Sequence, residues 1–181
     1  ATLLACKCDY LHLSKCVYGL INIYSTLSFN IFKIVRKFRS GTYGIHDTNN
    51  LKEYIQNCIN VATKTDKDLT FKELYNITKI KLIITATCLD DKTSFYFNHE
   101  TTPNESIAEA CMISCNIPFM FERKVAFGKN FTDGCITELL PMQCWPASEL
   151  PNTLAFLLLK NKKVKEYNSV FDFIDALMST N

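Results

Sequence analysis

Asp133 is the residue in this sequence best placed to do chemistry. It closes an apolar, strand-like run inside Lys124–Pro141 and is followed at once by Gly134, so a carboxylate is carried from a strand end into a tight turn. A carboxylate held in this way is a candidate general base, able to take a proton from a hydroxyl nucleophile that lies within hydrogen-bond reach. Asp and Gly are also the commonest turn formers, so the case for Asp133 rests on the elements that must position it.

Upstream, Lys81–Asp91 reads as a fully buried strand that ends in an acidic turn, because its nearly uninterrupted small and apolar residues suit a strand covered on both faces. Ser94–Asn98 is a second, aromatic strand. Thr102–Glu105 carries a capping-box signature with Pro103 at the first helical position, which predicts a helix over Ser106–Cys115. Ile107, Ala108, Ala110, Cys111, Met112 and Ile113 leave that helix little polar face, and Asn116-Ile117-Pro118 stops it. Asp47 and Thr48 cap an amphipathic helix whose apolar side is Leu51, Tyr54, Ile55, Cys58, Ile59 and Ala62. Thr70–Glu73 is a capping box for a short helix before the buried strand. Thr153–Leu159 reads as another buried strand. Ser169 starts a last helix, with Val170, Phe171, Phe173, Ile174, Leu177 and Met178 on its apolar side. Helices alternating with buried strands give an α/β sandwich.

Three blocks in this order, TFKELYNITKIKLIITATCLDDKTSFYF, TPNESIAEACMISCNIPFMF and FTDGCITELLP, resemble the patatin-like phospholipase family, and Arg39–Ile55 resembles the family's link into the helix that follows its variable segment. The resemblance implies an α/β/α sandwich with a mostly parallel sheet. It also implies an acyl hydrolase that cleaves lipid esters with a Ser-Asp dyad and no His. In that pattern Asp133 is the dyad base and Gly134 permits its turn; no cofactor and no metal is implied. The implied partners are phospholipid or other acyl lipids, with peripheral contact at a membrane surface.

The family's G-x-S-x-G nucleophile elbow and Gly-rich oxyanion loop do not occur among these residues. The five glycines are Gly19, Gly41, Gly44, Gly128 and Gly134, and no serine stands between two of them at the spacing the strained elbow needs. Ser14, Ser25 and Ser28 do not substitute for it. Ala1–Lys7 resembles the interior of the helix that follows the nucleophile. The expectation is therefore a single, N-terminally truncated patatin-like domain over residues 1–181, inactive alone, with a helical cap in 1–40, sheet and flanking helices in 41–181, and opening strands and serine outside the sequence. Cys135 stands where the family has a small Gly or Ala, and Leu139 where an Asn is common. A non-catalytic descendant that binds lipid or a protein partner, and an interaction protein with a likeness only in architecture, are the alternatives.

Composition bounds the reading. The 181 residues are 48% hydrophobic and 21% charged, values of an ordinary one-domain globular chain, and the net charge of +2 gives no electrostatic case for nucleic acid. The nine cysteines read as reduced core residues, pointing to a cytoplasmic or membrane-peripheral protein, since neither Cys6-x-Cys8 nor Cys111-x-x-x-Cys115 has a second pair at zinc-ligand spacing. His12, His46 and His99 are scattered and read as surface or core-edge residues. Val17–Phe32 carries no charge but is too short and too polar to span a bilayer; it reads as an apolar helical cap, or as a lid facing lipid. The Lys160–Lys165 run reads as a solvated turn.

Overall fold

The computed structural model describes residues 1–25, 36–37, 44–46 and 48–157. It divides into two compact units, Ala1–Thr137 and Glu138–Asn181.

In the first unit the element order is α1 (Thr2–Ala5), α2 (Tyr10–Ser25), β1 (Gly44–His46), α3 (Asn49–Thr63), α4 (Phe71–Thr78), β2 (Ile84–Cys88), β3 (Thr93–Phe97), α5 (Ile107–Ser114), β4 (Phe119–Phe121), β5 (Lys124–Ala126) and β6 (Lys129–Asp133). The helix starts follow from local chemistry. At α4 the box predicted for Thr70 forms in full: Glu73 N–H donates to Thr70 Oγ1 and the Glu73 carboxylate accepts from Thr70 N–H. At α5 the cap is Ser106, whose Oγ accepts from Glu109 N–H. Thr102, predicted to cap this helix, instead exchanges hydrogen bonds with the backbone of Asn98 and closes the turn after β3. Ser and Thr side chains serve turns and caps equally well, so the nearer Ser-x-x-Glu pair took the helix start. The two starts are tied together, since Ile107 N–H donates to Leu69 O and Phe71 N–H to Glu105 O. At α3 Thr48 occupies the cap position without a side-chain bond, and Asp47 lies outside the described residues.

The main sheet is four-stranded, in the order β3-β2-β6-β5, and every pairing in it is antiparallel. This corrects the mostly parallel sheet that the resemblance implies. Burial on both faces does not fix strand direction; connections do, and β2–β3 and β5–β6 are joined by turns too short for a crossover. The one parallel pair among the described residues is β1 with β4, which register Gly44 with Phe119 and His46 with Phe121. The architecture is mixed α/β.

The core lies between the sheet and α3, α4 and α5. Ile84, Ala86 and Cys88 of β2 meet Ile107, Ala108, Ala110 and Ile113 of α5 there, as the uninterrupted apolar runs predict. Phe97 is its hub: its ring lies 4.9 Å from Phe95, 6.1 Å from Phe131 and 6.4 Å from Phe71.

In the second unit, two single 3₁₀ turns, Met142–Cys144 and Leu150–Asn152, precede irregular chain. Residues 153–157, placed in a buried strand by the sequence reading, form no strand, and Leu154 and Phe156 are exposed. An apolar run states what burial would favour, not that a strand edge is free to receive it. Residues 158–159, the Lys160–Lys165 run and the helix predicted from Ser169 lie outside the described residues.

Candidate active site

Asp133 is the last residue of β6. The hairpin that feeds it turns on Phe127 and Gly128, with φ of 51° and 71°, a pair of left-handed residues that matches the twist of a two-residue hairpin. Gly128 adopts this freely. Phe127 is held there by its ring, 5.8 Å from Phe95 and 6.3 Å from Phe97.

Two neighbours hold the far end of β6. On one side β2 runs antiparallel to it, with Ala86 opposite Asp133 and Thr87 opposite Thr132. On the other, β5 reaches only to Phe131, and Asn116, buried just past α5, takes over. Asn116 O accepts from Asp133 N–H at 3.1 Å and from Thr132 Oγ1 at 2.9 Å, while Asn116 Nδ2 donates to Phe131 O at 3.4 Å. Thr87 Oγ1 donates to Asp133 O at 2.8 Å and meets Thr137 Oγ1 at 2.9 Å, and Ser94 Oγ donates to Thr137. The backbone of the candidate base is bonded at both its N–H and its C=O.

The carboxylate is fixed as well. Asp133 Oδ1 accepts from Cys135 N–H at 2.8 Å, an Asx turn that caps the 3₁₀ turn Gly134–Ile136. Gly134 is required for packing: a Cβ there would stand 2.6 Å from both O and Oγ1 of Thr85 on β2. The glycine that the sequence reading assigns to a tight turn is thus the point where that turn presses on the neighbouring strand. Burial pushes the Asp133 carboxyl above its ordinary value, and the Cys135 N–H opposes the shift. Cys115 and Cys135 are open at the surface as residues, yet the protein packed around their sulfurs, with Asp133 nearby, pushes the thiols up to about 12 and about 11.

Among the described residues the hydrogen bond to the Asp133 carboxylate comes from Cys135 N–H, and no serine or threonine hydroxyl is bonded to it. The histidines serve elsewhere: His12 Nε2 meets Cys58 O at 3.0 Å between α2 and α3, His99 stacks on Tyr75 at 3.8 Å, and His46 lies in β1. All nine cysteines are free thiols, and no three His, Cys, Asp or Glu side chains among the described residues converge as a metal site. Asn116, Thr85 and Thr87 were not singled out by sequence. The available signals were the Thr-x-Thr alternation in β2 and the polar Asn116 ahead of Ile117-Pro118.

The raised carboxyl pKa has a consequence for stability. A carboxyl whose folded pKa exceeds its unfolded value binds more protons when folded, so stability falls as pH rises through that window. Asp133→Asn keeps the acceptor for Cys135 N–H and removes the buried charge. Near pH 7 the variant should unfold at a higher denaturant concentration than the wild type. The gap should close as pH falls through the raised folded pKa and vanish below about 4, the unfolded value. Urea titrations at several pH values check this; a less stable variant at pH 7 would show that the ionised carboxylate is stabilising.

No protein-family model, no curated protein and no solved structure matches this chain.

Proposed function

We propose that residues 1–181 form the base-bearing part of a patatin-like lipid acyl hydrolase, in which Asp133 acts with a serine supplied from sequence outside these residues. The observation that carries this reading is the course of the chain around α5. Thr2 Oγ1 lies 3.3 Å from Cys111 Sγ, and the Ala1 ammonium acts on that thiol. One turn further along α5 is Cys115, which feels the charge of Asp133, and the next residue, Asn116, holds Asp133 N–H. The reading requires that a nucleophile in the turn before α1 continue from Cys111 along this flank of α5 to the Asp133 carboxylate.

In this reading the serine Oγ attacks the ester carbonyl carbon while Asp133 takes its proton. The tetrahedral intermediate then expels the alcohol, which receives that proton, and water hydrolyses the acyl-serine by the same route. A raised carboxyl pKa makes Asp133 a better base than an exposed carboxylate, since basicity toward an alcohol rises with pKa. The donors for the oxyanion belong with the nucleophile and its Gly-rich loop, whose backbone N–H groups must face the developing charge.

The test is an assay of ester hydrolysis on short-chain p-nitrophenyl esters and on phospholipid. Residues 1–181 alone should give background rates, and a protein that also contains a Gly-rich loop and a G-x-S-x-G segment ahead of Ala1 should be active. Lipid binding without turnover by the extended protein would favour a non-catalytic descendant instead.

A further inference from the structure

Helices α2 and α3 meet through His12, Cys16 and Gly19 on one side and Tyr54 and Cys58 on the other. His12 Nε2 lies 3.0 Å from Cys58 O and 3.5 Å from Cys16 Sγ. The Tyr54 hydroxyl donates to Cys16 O at 3.2 Å, and a Cβ on Gly19 would stand 1.9 Å from that hydroxyl oxygen. Residues three or four apart share a helix face, so Cys16 sits between the two points, His12 and Gly19, at which α2 touches α3, and opposite the Tyr54–Cys58 turn. There the Cys16 and Cys58 thiols are hydrogen-bonded to each other. Both are buried, with Cys16 2% and Cys58 8% exposed.

The bonding gives the two sulfurs different roles. Burial first, and next the bond to Cys58, push the Cys16 thiol above its ordinary value; a bond that does so holds the Cys16 proton, which makes Cys16 the donor and Cys58 the acceptor. The His12 hydrogen is on Nε2, because the Cys58 carbonyl can only accept, and the same N–H faces Cys16 Sγ. At rest the pair stays reduced, since a protonated thiol is not a nucleophile. Tyr10, Tyr18 and Ile21 leave the outer side of α2 uncovered, so the thiols lie one helix below the surface. A local opening of that helix admits a molecule little larger than water.

We propose that Cys16 and Cys58 are a modification site, a thiol pair that a small peroxide closes into a disulfide fastening α2 to α3. Cys58, as thiolate, attacks one peroxide oxygen; the O–O bond breaks, Cys58 becomes a sulfenic acid, and the departing hydroxide takes up the proton that Cys58 had released. Cys16 sulfur then attacks Cys58 sulfur. The S–S bond forms, the S–O bond breaks, and the Cys16 proton leaves with the hydroxide as water, while the His12 N–H faces the charge that gathers on the attacking sulfur. Two thiols thus give two electrons and two hydrogens to one peroxide, which becomes two waters. The site stands apart from the hydrolase reading, which uses neither residue.

Peptide mapping of residues 1–181 tests it. Reduced, folded protein is treated with hydrogen peroxide, alkylated in denaturant and digested. The Cys16 and Cys58 peptides should appear joined, lighter by two hydrogens than their sum, and both alkylation sites should be lost. Dithiothreitol should restore them. Cys8 is the competing partner, because its charge acts on Cys16 and that of Cys58 acts on Cys8. Cys8→Ser should therefore keep the Cys16–Cys58 link, whereas Cys16→Ser and Cys58→Ser should each abolish it, with circular dichroism confirming that the variants are folded. The linked protein should unfold at a higher urea concentration than the reduced one, because a cross-link restricts the unfolded chain. The mapping of the wild type decides the matter even where a variant does not fold. Full alkylation of Cys16 and Cys58 after peroxide overturns the proposal, as does a Cys8–Cys58 link, a sulfinic acid on Cys58 with Cys16 still free, or a Cys16–Cys58 link that forms only when the protein is oxidised in denaturant. An unfolding midpoint that the link leaves unchanged overturns the fastening of the two helices.

Discussion

In a protein that contains the serine segment, Asp133→Asn should lower kcat for ester hydrolysis by about 10²–10⁴-fold, the span attributable to a positioned general base. KM should change little, because the amide preserves shape and keeps the acceptor for Cys135 N–H, so only an interaction made in the transition state is withdrawn. The usual ambiguity of such a result, loss of chemistry against loss of fold, is resolved by the stability experiment described above. There the same substitution strengthens the folded state at neutral pH, because the Asp133 carboxyl is held above its ordinary value by burial. A variant that is both more stable and inactive is the signature of a group kept for its chemistry at a cost to the fold. Wild-type rates in that variant would remove Asp133 from the mechanism and, with it, the hydrolase reading.

Phe97→Ala should destabilise the first unit by about 3–5 kcal/mol, as expected for truncating a fully buried aromatic ring. Phe97 is 1% exposed and its ring contacts those of Phe71, Phe95, Phe127 and Phe131, so the cavity would open where α4, β3, β6 and the β5–β6 turn meet. The loss is a large share of the about 5–15 kcal/mol that holds an ordinary domain together. Denaturant titration of the two proteins measures it. Phe156→Ala, at a site 83% exposed, should change the unfolding free energy by less than about 0.5 kcal/mol and serves as the control. A small effect at Phe97 would mean that the aromatic cluster repacks around the gap.

Local chemistry made the helices legible from sequence. Thr70 and Glu73 sit at the spacing that satisfies two free backbone N–H groups, and the apolar face of Asn49–Thr63 repeats at helical period, so both helices form as read. The burial of β2 and of α5 was legible for the same reason. Strand direction was not, because the residues of Ile84–Cys88 suit a parallel or an antiparallel neighbour equally well, and the choice was made by turns at Leu89–Lys92 and Phe127–Gly128. The candidate site divides along the same line. Asp133 and Gly134 announce a turn in the sequence itself. Thr85 pressing on Gly134, and Asn116 bonding the end of β6, join positions far apart in the chain and have no local signature. The apolar run at residues 153–157 shows the converse: it has the composition of a strand and lies exposed and irregular.

The pairing of β2 with β6 also sets when Asp133 reaches its place during folding. Both hairpins, β2–β3 and β5–β6, close through short loops and are local events. Thr87 and Asp133, by contrast, are 46 residues apart in sequence and meet only when the centre of the sheet closes. Loop entropy is spent before such a contact returns anything, so long-range pairings are the slow steps of folding. Until that step a chain with both hairpins and every helix formed still lacks the Thr87 bond that holds the Asp133 carbonyl. The placement of Asp133 therefore reports closure of β2 on β6, an event that no local element can complete alone.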